Sequence, residues 1–431
     1  MTGPVTVPVS IEPAPSLRGG LRVPGDKSAS HRALMISALA SGSSTIEGLS
    51  PGHDVRSTGV IIEQLGARRS VEGDIVTVTG PANGLHAANS ALDCGNSGTT
   101  MRLMCGLVSA IGGAHHLVGD PSLSKRPMDR VAVPLGLMGA SVRGVGERIT
   151  APLSIEGSWT LQAIDYHVPM PSAQVKSALL FAGLGASGDT VVREDVRTRT
   201  TTEDMFARAA ITVASLCEGE GRIVTLKPGR PSPTAWHIPG DPSQAAFFCV
   251  LGAIHPDAVI EILDVDAAAE RTGFVAVLQR MGASLSREAR DERISLVSAS
   301  SELTATEIHA HEIPSVDEVP VLAVAAAAAT GVSAFRDMGE LRLKESDRFE
   351  GSMSLARSLG CRVWSEGDDF FIEGLGSAHR FGRFVIEASL DHRIVMSAAV
   401  AGVAGRGCSI SGAATVSSSY PHFFRDLASL Q

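Results

Sequence analysis

Aromatic side chains are scarce in this chain of 431 residues: 13 Phe, 3 Trp and 2 Tyr make up 4%. A protein that binds single-stranded nucleic acid by stacking bases on rings needs more. An excess of positive charge is also lacking, since 37 Lys and Arg face 46 Asp and Glu for a net charge of -9. That argues against a general nucleic-acid or membrane-surface role, and it leaves room for a local basic pocket. The six Cys, at 94, 105, 217, 249, 361 and 408, form no C-x-x-C pair and have no zinc-finger spacing with His. They read as reduced, mostly buried thiols of a cytoplasmic protein. Neither H-E-x-x-H nor H-x-x-E-H occurs among the thirteen His, so no metal site is expected. The opening MTGPVTVPVS has no basic start and no apolar run, so no secretory signal is expected. The longest apolar stretch, VPVLAVAAAAATGVSAF at 319–335, is shorter than the roughly 20 residues of a membrane span and reads as a core helix. The Walker A loop is absent.

What the chain does have is a repeat. A polar start, an apolar helix of three turns, a Gly-containing break and an apolar strand recur six times. They open at Ser28, Ser97, Ser172, Ser243, Asp317 and Asp391, 69 to 75 residues apart. A second phrase interleaves with the first: a helix ending in Leu/Met-Gly-Ala/Cys, then two short strands, as in QLGARRSVEGDIVTVTG at 64–80 and RMGASLSREARDERISLVSA at 280–299. The sixth copy stops at its helix, FFRDLASL at 423–430. Its strand pair is expected at the other end of the chain, in VTVPVSI at 5–11 and LRVPG at 21–25. Six repeats exceed one core, so an α/β fold of two lobes with three repeats each is expected. The lobes should be 24–240 and a discontinuous one, 1–23 plus 241–431, that takes in the N-terminal strands.

The helix starts carry the chemistry. A helix N-terminus presents unpaired N–H groups and partial positive charge, so it favours anions. Lys27, Ser28 and Arg32 lie within two turns at the first start. Asn96, Gly98, Thr99 and Arg102 open the second, with Lys125 and Arg126 just downstream. Arg126 is either part of a surface charge pair or a bidentate clamp for phosphate or carboxylate. Ser172, Gln174 and Lys176 open the third, where ordinary capping is an equal alternative, as it is for the hydroxyl-rich run Thr198–Glu203. In the second half, Asp317 and Glu345 stand near Lys344, Arg348 and Arg393. They form either an acid/base pair beside an anion clamp or structural salt bridges.

The segments PGDKSASHRAL at 24–34, GNSGTTMRL at 95–103, GDPSLSKRPM at 119–128 and SAQVKSALL at 172–180 occur in order, followed by GDPSQAAFF at 240–248. DEVPVLA at 317–323, LRLKESDR at 341–348, DHRIVM at 391–396 and SYPHFF at 419–424 complete the set. On these segments the chain resembles the enolpyruvyl transferase family, in the branch that acts on shikimate 3-phosphate. The resemblance implies two lobes, each of three βαβαββ repeats in an inside-out α/β barrel, with the site in the cleft between them. It implies addition of the 5-hydroxyl of shikimate 3-phosphate to phosphoenolpyruvate and elimination of phosphate, on the way to chorismate and the aromatic amino acids. It also implies no metal or organic cofactor. By matching motifs, Lys27, Asn96, Gly98, Thr99, Arg126, Gln174, Arg348 and Arg393 would hold phosphoenolpyruvate. Lys27, Ser28, Arg32, Ser172, Ala173, Gln174, Thr198, Asp317 and Lys344 would hold shikimate 3-phosphate. Asp317 resembles the base for the 5-hydroxyl, Glu345 the acid for the methylene carbon, and Lys27 a helper for the leaving phosphate. Gly98 implies sensitivity to glyphosate, and a site within one chain implies a monomer.

The chain also departs from the family. Ser418 stands where one branch has a phosphate-binding Lys, and Glu340 where that branch has Asn. Thr198–Glu203 lacks the Asp and His of the usual loop, which puts the packing around the shikimate ring in question. Three other readings compete. A transferase for UDP-N-acetylglucosamine would carry a loop Cys, which 119–128 lacks. A transferase recruited to another hydroxy acid would fit the altered Thr-rich loop. A non-catalytic anion sensor would have lost Asp317, Glu345 or Lys27.

Overall fold

The structure is a computed structural model that describes residues 8–290, 293–376, 381–388 and 391–431. The chain divides into two compact units. One, Gly25–Ile238, is contiguous; the other joins Met1–Pro24 to Pro239–Gln431.

Each repeat begins with a helix that is buried along most of its length. In the contiguous unit these are α1 (Lys27–Leu39), α2 (Gly98–Ser109) and α3 (Ala173–Gly183). In the split unit they are α4 (Pro242–Ile254), α5 (Val319–Ala328) and α6 (His392–Ala404). All residues of α5 and α6 are buried. A helix that is apolar on every side has to be surrounded by the rest of its domain, and α4, α5 and α6 pack on one another at the centre of the split unit. In the contiguous unit α2 packs on α1 and α3. A Cβ on Gly106 would lie 2.0 Å from the carbonyl oxygen of Ala178, so α2 and α3 meet backbone to backbone.

Sheets surround these helices. In the second repeat the strand Leu92–Asp93 precedes α2, Gly113–Val118 follows it parallel to the first, and the antiparallel pair Ser141–Val145 and Thr150–Gly157 completes four strands. Four other sheets have the same order of one parallel and two antiparallel pairings. In strands such as Ile75–Gly80 alternate residues are buried, as expected where one face covers the helices and the other meets solvent.

The leading strand of each sheet is short, and two of them come from distant sequence. Ala235–His237 leads the first repeat, pairing parallel with Gly42–Glu47. Leu17–Leu21 leads the fourth, pairing parallel with Ala258–Asp266. This corrects the expectation for LRVPG at 21–25: the second N-terminal strand is Leu17–Leu21, and it belongs to the fourth sheet, not the sixth. The sixth sheet has three strands, Phe384–Glu387, Cys408–Ser411 and Val9–Ile11, with Ser10 opposite Ser409. Residues 5–7 of the expected first strand lie outside the described residues. The apolar stretch 319–335 is also divided: helix ends at Ala328, and Thr330–Arg336 is a strand. Among the described residues no helix is long and apolar enough to cross a membrane.

Candidate active site

Five of the six central helices begin at a side-chain cap. Asp26, Ser97, Ser172, Asp241 and Asp391 accept from backbone N–H groups of the first turn. The polar residues of the repeat starts are thus partly caps.

In the contiguous unit, Lys27 Nζ lies 3.2 Å from Asp54 Oδ2. Arg32 is buried and donates through all three nitrogens, to Thr202 Oγ1 at 2.6 Å, the Ser28 carbonyl at 2.8 Å and Ser177 Oγ at 2.7 Å. It ties α1 to α3 and to the helix Thr201–Arg208. Ser28 Oγ also accepts from Arg199 at 3.3 Å. At the second start, Gln174 Oε1 accepts from Arg102 at 2.7 Å, and its Nε2 donates to Thr99 Oγ1 at 3.0 Å. Arg126 donates to Asn96 Oδ1 at 2.9 Å. A Cβ on Gly98 would sit 3.1 Å from a nitrogen of both Arg102 and Arg126, so two guanidinium groups cover the glycine that opens α2. His31 is held neutral: burial first, then the charges of Lys27 and Arg32, push it well below the usual imidazole value.

Lys176 requires a correction. The sequence placed it as added charge for a bound anion. Its side chain is 0% exposed and is held between Glu194 and Glu203, each at 2.8 Å. It is structural, and it acts on the site at one remove, since Thr198 Oγ1 donates to Glu194. Burial pushes the Glu203 carboxyl up, against the pull of Lys176.

In the split unit the charges form a knot around Arg348, which is 1% exposed. Its Nη1 meets Asp317 at 2.7 Å, its Nη2 meets Glu345 at 2.8 Å and its Nε meets Asp391 at 2.8 Å. Asp391 also caps α6 through the Arg393 N–H, so one carboxylate fixes both the helix start and the guanidinium. Arg393 Nη2 lies 3.8 Å from Asp317, and Lys344 Nζ donates to the Ser315 carbonyl at 3.1 Å. Burial raises the Asp317 carboxyl, but Lys344, Arg393 and Arg348 outweigh it and hold it well below the usual carboxylate range. Asp317 follows Val316, whose φ of 49° is unusual for a β-branched residue. Ser418, at the position of the missing Lys, donates its hydroxyl to the Thr415 carbonyl.

Sequence reasoning missed Asp54, Asp120, Ser177, Glu194 and Glu318. Glu318 is buried and accepts from the hydroxyls of Ser243 and Ser315. Asp54 and Glu194 sit next to a site residue only after folding, and an isolated Asp or Glu leaves no local signal; Glu318 follows Asp317 directly, but its two hydroxyl partners come from folding.

Central helices wrapped by βαβαββ sheets, with cations gathered at the helix starts, define an enolpyruvyl-transferase type of protein. The solved enolpyruvyl transferase NikO from Streptomyces tendae has this fold, at a TM-score of 0.76 over 98% of this chain and 97% of its own, with 18% identity. The family model described as EPSP synthase (3-phosphoshikimate 1-carboxyvinyltransferase) matches residues 11–427. The 3-phosphoshikimate 1-carboxyvinyltransferase of Gloeobacter violaceus is 44% identical over 97% of this chain and 98% of its own. That of Pelobacter propionicus is 40% identical over 96% and 97%. The EPSP synthase structure from Acinetobacter baumannii has a TM-score of 0.86 at 37% identity, covering 98% of this chain and 97% of that one. The chain belongs to the EPSP synthase family.

Proposed function

We propose that this chain transfers the enolpyruvyl group of phosphoenolpyruvate to the 5-hydroxyl of shikimate 3-phosphate. The observation that carries the reading is the Arg348 knot. A fully buried guanidinium bound to three carboxylates, with Arg393 and Lys344 beside it, is an anion site held shut by its own acids. The Lys27–Gly98–Arg126–Gln174 group supplies the complementary cations and donors.

In the reaction, the O5–C2 bond forms as the hydroxyl proton passes to Asp317 and a proton from Glu345 reaches the methylene carbon. Loss of a methyl proton to the Glu345 carboxylate then restores the double bond as the C2–O bond to phosphate breaks, with Lys27 assisting the departing phosphate. In the resting protein Asp317 is held too acidic to be a strong base. The phosphate and carboxylate of phosphoenolpyruvate, seated against Arg348 and Arg393, offset that positive field and let the Asp317 pKa rise toward the working range. Ser28, Arg32, Ser172, Ala173, Gln174, Thr198 and Lys344 hold shikimate 3-phosphate on this reading. Asn96, Gly98, Thr99, Arg126 and Gln174 line the phosphoenolpyruvate side. Asn96 also orients its neighbours, because both ends of its amide meet protein partners.

The enzyme is read as a cytoplasmic monomer, in keeping with six unpaired cysteines. Glyphosate is expected to compete with phosphoenolpyruvate beside Gly98, and a titration showing no inhibition at high glyphosate overturns that point. The test of the whole is phosphate release in metal-free buffer. Release that needs both substrates, with the enolpyruvyl ether confirmed by mass, is the expected result. Folded protein that releases no phosphate refutes it.

A further inference from the structure

We propose that Asp120 is a positioning residue that aims Arg126 at phosphoenolpyruvate, acting through the Asn96 side-chain amide. This rests on the function proposed above. Asn96 Nδ2 donates to Asp120 Oδ2 at 2.6 Å, and Asn96 Oδ1 accepts from Arg126 Nη2 at 2.9 Å. An amide can face either way, but these neighbours permit one orientation. A carboxylate can only accept, and a guanidinium can only donate. Asp120 therefore fixes which end of Asn96 meets Arg126.

The anchor is itself held. The other Asp120 oxygen accepts from the Leu123 N–H at 2.7 Å, and the Asp120 N–H donates to the Gly95 carbonyl at 2.8 Å, in the loop that precedes α2. The far end of the relay is placed as well, because Arg126 Nη1 lies 3.1 Å from where a Gly98 Cβ would be. The relay thus runs from a turn carboxylate, through one amide, to a guanidinium at the start of α2. Without Asp120 the amide keeps only its bond to Arg126 and can swing about its own side-chain torsions, so the guanidinium loses its fixed direction.

Asp120→Ser separates the two roles of this carboxylate. A serine hydroxyl can still cap Leu123, but it is too short to reach Asn96. The expected result is a rise of about tenfold in KM for phosphoenolpyruvate, as for one charge-assisted hydrogen bond lost, with KM for shikimate 3-phosphate unchanged. Asp120→Asn keeps one accepting oxygen, which can serve Leu123 or Asn96 but not both, so its rise in KM for phosphoenolpyruvate should be no larger than that of Asp120→Ser. In an Asn96→Ala background, Asp120→Ser should have no further effect on KM for phosphoenolpyruvate, because the relay is already cut. Additive losses in that double variant, or equal rises in KM for both substrates, overturn the proposal and leave a turn cap. Wild-type enzyme that fails to turn over phosphoenolpyruvate at all overturns the functional reading, and the proposal with it.

Discussion

Replacing Lys176 with Met should unbalance the contiguous unit, by an amount that its surroundings set. The ammonium is 0% exposed and has two carboxylates at 2.8 Å, on Glu194 and Glu203, which are 1% and 4% exposed. Met preserves most of the side-chain volume, so no large cavity forms and the loss is electrostatic. Removing one partner of a buried ion pair costs about 3–5 kcal/mol, since the remaining charge stays buried without compensation. For a unit of this size that corresponds to a fall of roughly 10 °C in Tm. The penalty should depend on pH in a definite direction. Glu203 already has a raised carboxyl in the folded state because of its burial, and loss of Lys176 raises it further. A raised acid pKa means that the folded state binds more protons than the unfolded one, so stability rises as pH falls. The Lys176→Met penalty should therefore shrink as the pH is lowered from 7 toward the ordinary Glu value of 4.5. Urea titrations at two pH values, followed by tryptophan fluorescence in a Trp364→Phe background, test this, since the remaining Trp159 and Trp236 both lie in Gly25–Ile238. A penalty under about 1 kcal/mol at pH 7 would place the pair in the range of weak surface bridges and refute the argument. A penalty that grows on acidification would refute it equally.

Asp317→Asn should cut kcat by about 10²–10⁴, the usual yield of a positioned base, while both substrates still bind by calorimetry; normal turnover removes Asp317 from the chemistry. Glu345→Gln should lower kcat with little change in either KM, and a change confined to KM would make it a binding residue. Gly98→Ala pushes a methyl to 3.1 Å from both Arg102 and Arg126, so KM for phosphoenolpyruvate should rise at nearly constant KM for shikimate 3-phosphate. Equal effects on the two would mean that the glycine serves only the fold. Thiol reagent should react quickly with one cysteine in native protein, the exposed Cys217, and with all six after unfolding. The other five are buried, and burial pushes thiols such as Cys105 and Cys408 up to about 12. More than one fast thiol would contradict that packing.

Much of the architecture was legible because its strongest signals are local. The six central helices are apolar, Ala-rich and evenly spaced, and each is opened by polar residues. The Gly-Ala breaks marked the antiparallel pairs. The leading strands were not legible for the opposite reason. Leu92–Asp93 has two residues, and Leu17–Leu21 contains Gly19 and Gly20, which are poor strand formers. Parallel pairing with Ala258–Asp266 makes that segment a strand, and the partner lies more than 200 residues away. The site divides in the same way. Lys27, Arg126 and Arg348 stood out as cations at helix starts. That Lys176 faces inward depends on Glu194 and Glu203, which come from a strand and a helix further along the chain.

The pairing of Val9–Ile11 with Cys408–Ser411 has a consequence for the order in which the protein is made. The strand leaves the ribosome before all of Gly25–Ile238, and its partner leaves only after that segment. The segment Gly25–Ile238 emerges whole and can close around its own helices while synthesis continues. The other unit has to keep Val9–Ile11 waiting until Cys408–Ser411 has been made, a contact of very large sequence separation and hence a slow one. Removing either Val9–Ile11 or Cys408–Ser411 therefore damages the same unit, and leaves the contiguous one with its sheets intact.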